Sequence, residues 1–330
     1  MKNLVKRAVL RSGLLQVAGR LRGASAAILM YHSVMEDPAS QEAYLGEIIH
    51  PREVFRAQME LVARRFRPTS LQQVGHFLSG AGEFPDRAVV VTFDDGYTDN
   101  YEIAAPVLNE LGIPATFYVT VDSVERRTLP WPARLRFVLR NTKKECWTDS
   151  SGKIWPLSND MECEKALLRS CDECCQLTGA VQEKYVASLS EELDTQVPVE
   201  SGALMMSYDQ VRALEKQGHI VGSHTMTHPN MAYVNPEVAR RELTESKQRL
   251  EQKLGGPVSH FAYPCPALSP HWTEQTVTAS RAAGYETAVT TNGGLARKGD
   301  DPLRLKRIAP SRMEKGLQWS LETGFAGHLR

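Results

Sequence analysis

The chain places its polar, chemistry-bearing residues at the ends of apolar runs. Ala88-Val89-Val90-Val91 leads straight into Thr92-Phe93-Asp94-Asp95-Gly96-Tyr97. Much later, Ile220-Val221 leads into Ser223-His224-Thr225-Met226-Thr227-His228-Pro229. A short apolar run closed by turn residues reads as a buried strand. Open and closed α/β sheets set their reacting groups at such strand ends. The two ends together supply two carboxylates and two imidazoles, enough for a metal site with a spare base.

The rest of the chain repeats the alternation. Residues 26–34 read as a strand, and 51–66 as a helix with Val54, Phe55, Met59, Leu61 and Val62 as its apolar positions. Ser70 caps a short helix to Leu78. Strand 88–93, helix 100–111 ended by Gly112, and strand 114–119 follow. Ser207-Tyr208-Asp209-Gln210 has capping-box spacing ahead of helix 208–217. Strand 219–222 precedes a long helix that Asn235 caps, Pro236 begins and Gly255-Gly256 closes. Strand 259–263, helix 270–283 and strands 285–290 and 304–309 complete the series. Repeated strand–helix alternation argues for a parallel sheet. The pattern breaks over 122–203, which reads as a mainly helical insertion holding Trp131, Trp147, Trp155 and most of the cysteines.

These motifs resemble the polysaccharide deacetylase family, also called the NodB-homology family. Its first motif is T-F-D-D-G and its second is H-[ST]-x-x-H-P, matched here by His224-Thr225-Met226-Thr227-His228-Pro229. Ile28-Leu29-Met30-Tyr31-His32-Ser33-Val34 resembles the amino-terminal M-Y-H of one branch. Phe261-Ala262-Tyr263-Pro264-Cys265 resembles the third motif. The resemblance covers 26–121 and 204–310. It implies an α/β fold, a distorted, incomplete barrel of about seven strands. The expected organisation is a basic helix over 1–25, the barrel over 26–121 and 204–312, the insertion over 122–203 and a tail over 313–330.

Adjacent carboxylates in extended backbone diverge, which favours separate roles for Asp94 and Asp95. The resemblance assigns Asp95 to a metal with His224 and His228, and Asp94 to the general base. Pro229 and Gly222 argue that the two histidines sit on a strand-end loop rather than a helix. Two nitrogens and one carboxylate fit a divalent metal, zinc first, with positions left open. The general acid expected for the leaving amine is His32, by its match to the amino-terminal motif. The tail offers only His328. Tyr263 matches the position whose backbone N–H stabilises the oxyanion. The family's arginine beside the base is missing from 256–263, and Arg307 stands near a strand end as its candidate substitute. His260 and His271 read as packing or surface residues.

Charge gives no argument for nucleic acid, since Lys plus Arg and Asp plus Glu are both 39. The six cysteines fall at 146, 163, 171, 174, 175 and 265. A long chain without an export signal argues for free thiols. Cys171, Cys174 and Cys175 share a helix face with Leu167 and Leu168, so they read as core rather than as a zinc site. The first 35 residues hold Lys2, Lys6, Arg7, Arg11, Arg20 and Arg22 and no acid. Leu10, Leu14, Val17, Ala18 and Leu21 share one helical face. That segment either docks on the barrel or, through residues 1–24, lies on an anionic membrane. The thiols and the missing export signal favour the cytoplasm, and a glycolipid substrate together with the basic helix would place the protein at the inner membrane face.

The function implied is a metal-dependent hydrolase that removes N-acetyl groups from amino sugars of a polysaccharide or glycolipid and releases acetate. Two other readings stay open. One is O-deacetylation, or deformylation of a lipid-linked sugar. The other is a catalytically silent glycan-binding protein.

Overall fold

The computed structural model describes residues 2–82 and 86–327. His328 lies outside them. Seven strands run β1 (Ser25–Tyr31), β2 (Ala88–Phe93), β3 (Ala115–Val119), β4 (Ile220–Ser223), β5 (His260–Ala262), β6 (Thr287–Gly293) and β7 (Leu305–Arg307). They neighbour one another in that order, and every junction is parallel. The ring turns back on itself just past β7. Ile308 forms a parallel bridge with Leu29, through Met30 N–H to Ile308 O at 3.0 Å and Ile308 N–H to Ile28 O at 2.8 Å. Closure by one bridge, with a register shift between β6 and β7, makes this a nearly closed and distorted barrel.

Why these runs become barrel strands is visible in their burial. Every residue of β2 and β3 is buried, so both faces must meet apolar neighbours. Alternate side chains point to opposite faces. Ala26, Ile28, Val90, Tyr118, Ala262, Val289 and Leu305 meet in one cluster, plugged by Leu71 and Val74 of the helix Leu71–Leu78. Ala27, Leu29, Val91, Phe117 and Phe261 face outward into the helix layer. The barrel is therefore filled with side chains, and chemistry is left to its rim.

Local signals in the sequence translate directly. Ser70 with Gln73, and Ser207 with Gln210, form reciprocal capping boxes. Asn235 accepts the Val238 N–H, and Gly255 ends that helix at φ 79°. The first strand is the exception. One strand was expected over 26–34, but the extended backbone breaks at His32 and resumes as Ser33–Met35, paired with Ile49–Pro51. The break has a cause. Asn100 donates to His32 O at 2.6 Å, while Asp99 accepts Ser33 Oγ–H at 2.7 Å and Val34 N–H at 2.9 Å. These bonds pull the chain off the barrel at the residue that matters.

Residues 121–204 hold four α-helices, Val121–Arg126, Trp131–Asn141, Asp160–Cys174 and Gly179–Glu192, a 3-10 helix Val199–Leu204, and the hairpin Cys146–Thr148 with Ile154–Pro156. Cys163, Cys171, Cys174 and Cys175 pack with Trp131, Trp147, Leu135 and Leu189 in their own core. All six cysteines are free thiols. At the termini, helices Lys2–Arg11 and Leu14–Arg20 lie beside a helix Glu314–Phe325 that the sequence pattern did not announce. Gly19 permits the approach, since a Cβ there would stand 3.3 Å from Phe325 Cβ. Among the described residues no helix is long and apolar enough to cross a membrane.

The Asn235 cap provides a simple check of this assignment. Asn235→Ala should lower unfolding stability by about 1 kcal/mol in denaturant titration. Activity should be unchanged, because the cap lies at the solvent end of its helix.

Candidate active site

Backbone geometry does the first part of the work at the end of β2. Asp95 takes φ 76° and Gly96 φ 92°, values that glycine tolerates and aspartate rarely adopts. Asp94 stays on the strand line, while Asp95 is turned out of it. The two carboxylates therefore serve different partners, as their adjacency predicted. Thr225 at φ 65° and His228 at φ 60° show the same left-handed backbone in the opposing loop. Such conformations persist only where the surroundings hold them.

The surroundings do hold them. His224 N–H donates to Val119 O at 2.9 Å, and Val121 N–H to Thr225 O at 3.2 Å. The His228 N–H donates to Thr225 Oγ1 at 3.0 Å. Glu242, from the helix Pro236–Leu254, accepts Met226 N–H, Thr227 N–H and Thr227 Oγ1–H at 2.8, 3.0 and 2.7 Å. Trp131 Nε1–H donates to His228 O at 3.0 Å. The loop is thus clamped on one side by a barrel helix and on the other by the insertion.

The clamp brings Asp95, His224 and His228 together, all buried, with one ligand atom from each within 4.8 Å of the others. Among the described residues this is the one such group of three. His228 Nε2 lies 3.2 Å and His224 Nε2 3.5 Å from Asp95 Oδ1. His224 Nδ1 is 2.8 Å from Ala262 O, which fixes the ring and leaves Nε2 as the lone-pair nitrogen. Burial pushes the His224 imidazole down to about 4, so it is neutral at ordinary pH. Burial also acts to raise the Asp95 carboxyl, but His228 beside it prevails and holds it well below the carboxylate range. Asp95 Oδ1 is buried with no hydrogen-bond partner. A buried anionic oxygen without a donor, facing two imidazole nitrogens, is the arrangement a divalent cation satisfies.

Asp94 has another partner. Arg307, fully buried at the end of β7, donates Nη1–H to Asp94 Oδ1 and Nη2–H to Oδ2, both at 2.7 Å. Its Nε–H goes to Thr290 O at 2.9 Å. Burial opposes the Asp94 charge, and the guanidinium outweighs it, so the carboxyl is held below its ordinary value. Arg307 therefore supplies the arginine missing from 256–263, from a strand the third motif does not include. His32 Nε2 stands 4.0 Å from Asp94 Oδ2.

Tyr263 needs a correction. Its backbone N–H is already donated to Val289 O at 3.0 Å in the barrel ladder. Its ring is fully buried, and its hydroxyl donates to Leu303 O at 3.1 Å. It offers no donor to the site. Pro264 has no N–H, and Cys265 is the next residue able to give one; unlike Tyr263, it lines the cavity. His260 is bound to Thr287 Oγ1 inside the barrel, and His271 lies 2.9 Å from Cys265 Sγ, outside the Asp95 cluster.

A cavity of about 330 Å³ opens over these groups, lined by His32, Asp94, Asp95, His224 and His228 on the barrel side. Residues 81–169 and 173–288, more than half of the chain, match the family model described as Polysaccharide deacetylase. The chain belongs to the polysaccharide deacetylase family. It is accordingly a glycan deacetylase, a hydrolase. The Bacillus subtilis protein YxkH, named provisionally as a polysaccharide deacetylase, is 21% identical over 285 residues, 86% of this chain and 71% of its own. Two solved structures share the fold. Deacetylase PplD of Streptococcus pyogenes, in complex with acetate, superposes with TM-score 0.60 at 20% identity, over 91% of this chain and 98% of its own. IcaB from Ammonifex degensii gives 0.59 at 19%, over 92% and 97%. His32 and Arg307 both lie outside the matched residues.

Four contributors escaped the sequence reading in their roles: Asp99, Asn100, Glu242 and Trp131. Asp99 and Asn100 stand a few residues past Gly96, so their proximity to the motif was a usable signal. Glu242 looks like any polar residue on a long surface helix, and only burial marks it. Asp99 is fully buried, and burial raises it to about 7 despite the donors at Val34 and Ser33. Its folded value thus exceeds its unfolded one. The folded state then binds more protons, and this contribution to stability is present below about pH 4 and lost as pH rises towards 7. Relative to Asp99→Asn, wild-type stability should fall over that window by on the order of 4 kcal/mol. Urea titrations of both proteins at pH 4.5, 6 and 7.5 would read this; a gap independent of pH would exclude it.

Proposed function

We propose that this deacetylase removes N-acetyl groups from amino sugars of a polysaccharide or glycolipid and releases acetate, using a divalent metal. Asp95, His224 and His228 would hold that metal, and their nitrogen-rich donor set favours zinc. When bound, the metal supplies Lewis-acid polarisation of the amide carbonyl and lowers the pKa of water. The observation that carries the proposal is the pairing of Asp94 with Arg307, next to the Asp95 cluster and 4.0 Å from His32.

Each side chain then has a defined proton or contact. Asp94, kept ionised by Arg307, accepts a proton from the water that attacks the carbonyl carbon. Both of its oxygens are gripped, so its orientation is fixed before substrate enters. His32 protonates the amine nitrogen as the C–N bond breaks. Its carbonyl is held by Asn100, which sets its height over the site. Cys265, which lines the cavity, would donate its N–H to the developing oxyanion. Water and amide go in; amine and acetate come out.

Asp94→Asn should keep full metal content by elemental analysis while turnover falls by about 10²- to 10⁴-fold. His228→Ala should lose metal and turnover together. Acetate release from a panel of N-acetylated and O-acetylated glycans, with detection of new amine or hydroxyl, reads the reaction. Hydroxyl product alone would replace the N-deacetylase reading with an O-deacetylase, since the same acid serves an alkoxide.

We also propose a membrane contact through the amino-terminal segment. Leu14, Val17 and Leu21 are 69, 58 and 84% exposed, and the neighbouring Arg11, Arg20 and Arg22 are also exposed. Apolar and cationic side chains together suit an anionic bilayer surface. The wild type should float with anionic liposomes, and a Leu14→Ser, Val17→Ser, Leu21→Ser triple variant should not. Equal soluble fractions would exclude the contact.

A further inference from the structure

Tyr44, Arg136 and Glu164 line the cavity, and none of them comes from the barrel strands. Tyr44 lies in the segment before the helix Arg52–Arg65, and the other two belong to the insertion. The reaction proposed above uses none of them. Arg136 donates to Glu164 at 2.9 and 3.3 Å. Arg140 donates to the same carboxylate and to Asp160, both at 3.4 Å. Two guanidiniums are thus matched by two carboxylates, and the group carries no net charge.

These side chains are fixed before any ligand arrives. The Tyr44 ring stacks on Phe137, with 4.5 Å between centroids and 13° between planes. Phe137 is the residue after Arg136 on the helix Trp131–Asn141. Gly46, at φ 55°, leaves the space that the Arg136 guanidinium fills, since a Cβ there would stand 2.9 Å from Nη1. Two adjacent residues of the insertion are therefore docked on two residues of one short segment. Groups held in this way lose little freedom on binding.

Their hydrogen-bonding capacity says what they suit. A sugar hydroxyl both donates and accepts, and a phenol beside an arginine–carboxylate pair offers both roles. A phosphate or carboxylate ligand would instead have to take Arg136 from Glu164. Leu45, Ile48 and Pro132 share this part of the lining and suit the C–H faces of a sugar ring. The cavity borders the helix Asp160–Cys174 from Glu164 to Cys171, about 10 Å of its length. That is longer than one pyranose ring, whereas the reacting acetamide has to lie at Asp94 and His32.

We propose that Tyr44, Arg136 and Glu164 form a sugar subsite, which holds an uncharged sugar unit next to the one whose N-acetyl group meets Asp94 and His32. This rests on the deacetylase reading above and narrows the acceptor to an oligosaccharide or polymer that is neutral at this unit. The insertion and the segment docked on it, rather than the barrel, then select the acceptor.

The test uses full-length, metal-loaded protein with the methyl glycoside of N-acetylglucosamine and with its 1,4- and 1,6-linked disaccharides. A further disaccharide carries glucuronic acid as the second sugar. Acetate release gives kcat and KM, and calorimetry on the metal-loaded Asp94→Asn variant reads binding without turnover. Binding energy from a remote sugar is expressed at the reacting centre, so kcat should rise as well as KM fall. At least one neutral disaccharide should exceed the methyl glycoside by about tenfold in kcat/KM and in affinity, the worth of one hydrogen bond to a charged group. The glucuronic acid disaccharide should not. Tyr44→Phe, which keeps the ring on Phe137, and Arg136→Gln should each bring the ratio of disaccharide to methyl glycoside towards one in both readouts. Equal values across the series overturn the inference, and so does a ratio that both variants leave unchanged or a rise confined to the acidic disaccharide. Disaccharide binding that depends on Tyr44 and Arg136, with no acetate from any compound, would support the subsite and sink the catalytic reading instead.

Discussion

The buried pair of Asp94 and Arg307 joins the end of β2 to the end of β7 across the barrel. Arg307 also bonds Thr290 O on β6 and, at 3.3 Å, Thr92 Oγ1 on β2. Three strands distant in sequence are thus held by one guanidinium with no solvent exposure. Removing either charge would leave the other buried and unpaired, at a cost of about 3–5 kcal/mol. The same contact orients the base and keeps it ionised. Fold closure and catalytic geometry therefore share one interaction, at the place where the hydrogen-bonded ring is weakest.

Around that pair, each reactive group is positioned by something outside its own motif. His32 is placed by Asn100 and Asp99, the histidine loop by Glu242 and Trp131, and Asp94 by Arg307. The insertion belongs to this scheme as much as the barrel does. Through Trp131 it fixes the carbonyl of His228, and through Arg136, Leu168 and Cys171 it walls the cavity. Four of its five cysteines, all but the exposed Cys146, pack in the insertion's own hydrophobic core, where burial pushes Cys171 and Cys174 above the ordinary thiol range.

The departures from expectation have a common origin. His32 sits in a break rather than within a strand because side chains from another element capture its neighbours. Tyr263 has no free donor because its N–H lies one step inside the ladder. In both cases a motif match gave the neighbourhood, and hydrogen bonding to a distant element decided the role. Trp131 and Trp147 are buried, and none of the three tryptophans in the insertion lines the cavity.

What the sequence determined by itself was whatever depends on local order. Alternating apolar runs and capped helices specified a parallel sheet, which the family resemblance implied to be a barrel, and two short motifs specified Asp94, Asp95, His224 and His228 as a constellation. Capping boxes at Ser70 and Ser207 and the Asn235 cap were legible for the same reason, because their partners lie three residues away. Tertiary structure alone decided the pairing of Arg307 with Asp94, the burial of Glu242 under the histidine loop and the wall that the insertion gives the cavity. Each joins residues separated by many turns of chain, and a pairwise contact of that kind leaves no periodic trace in a single sequence.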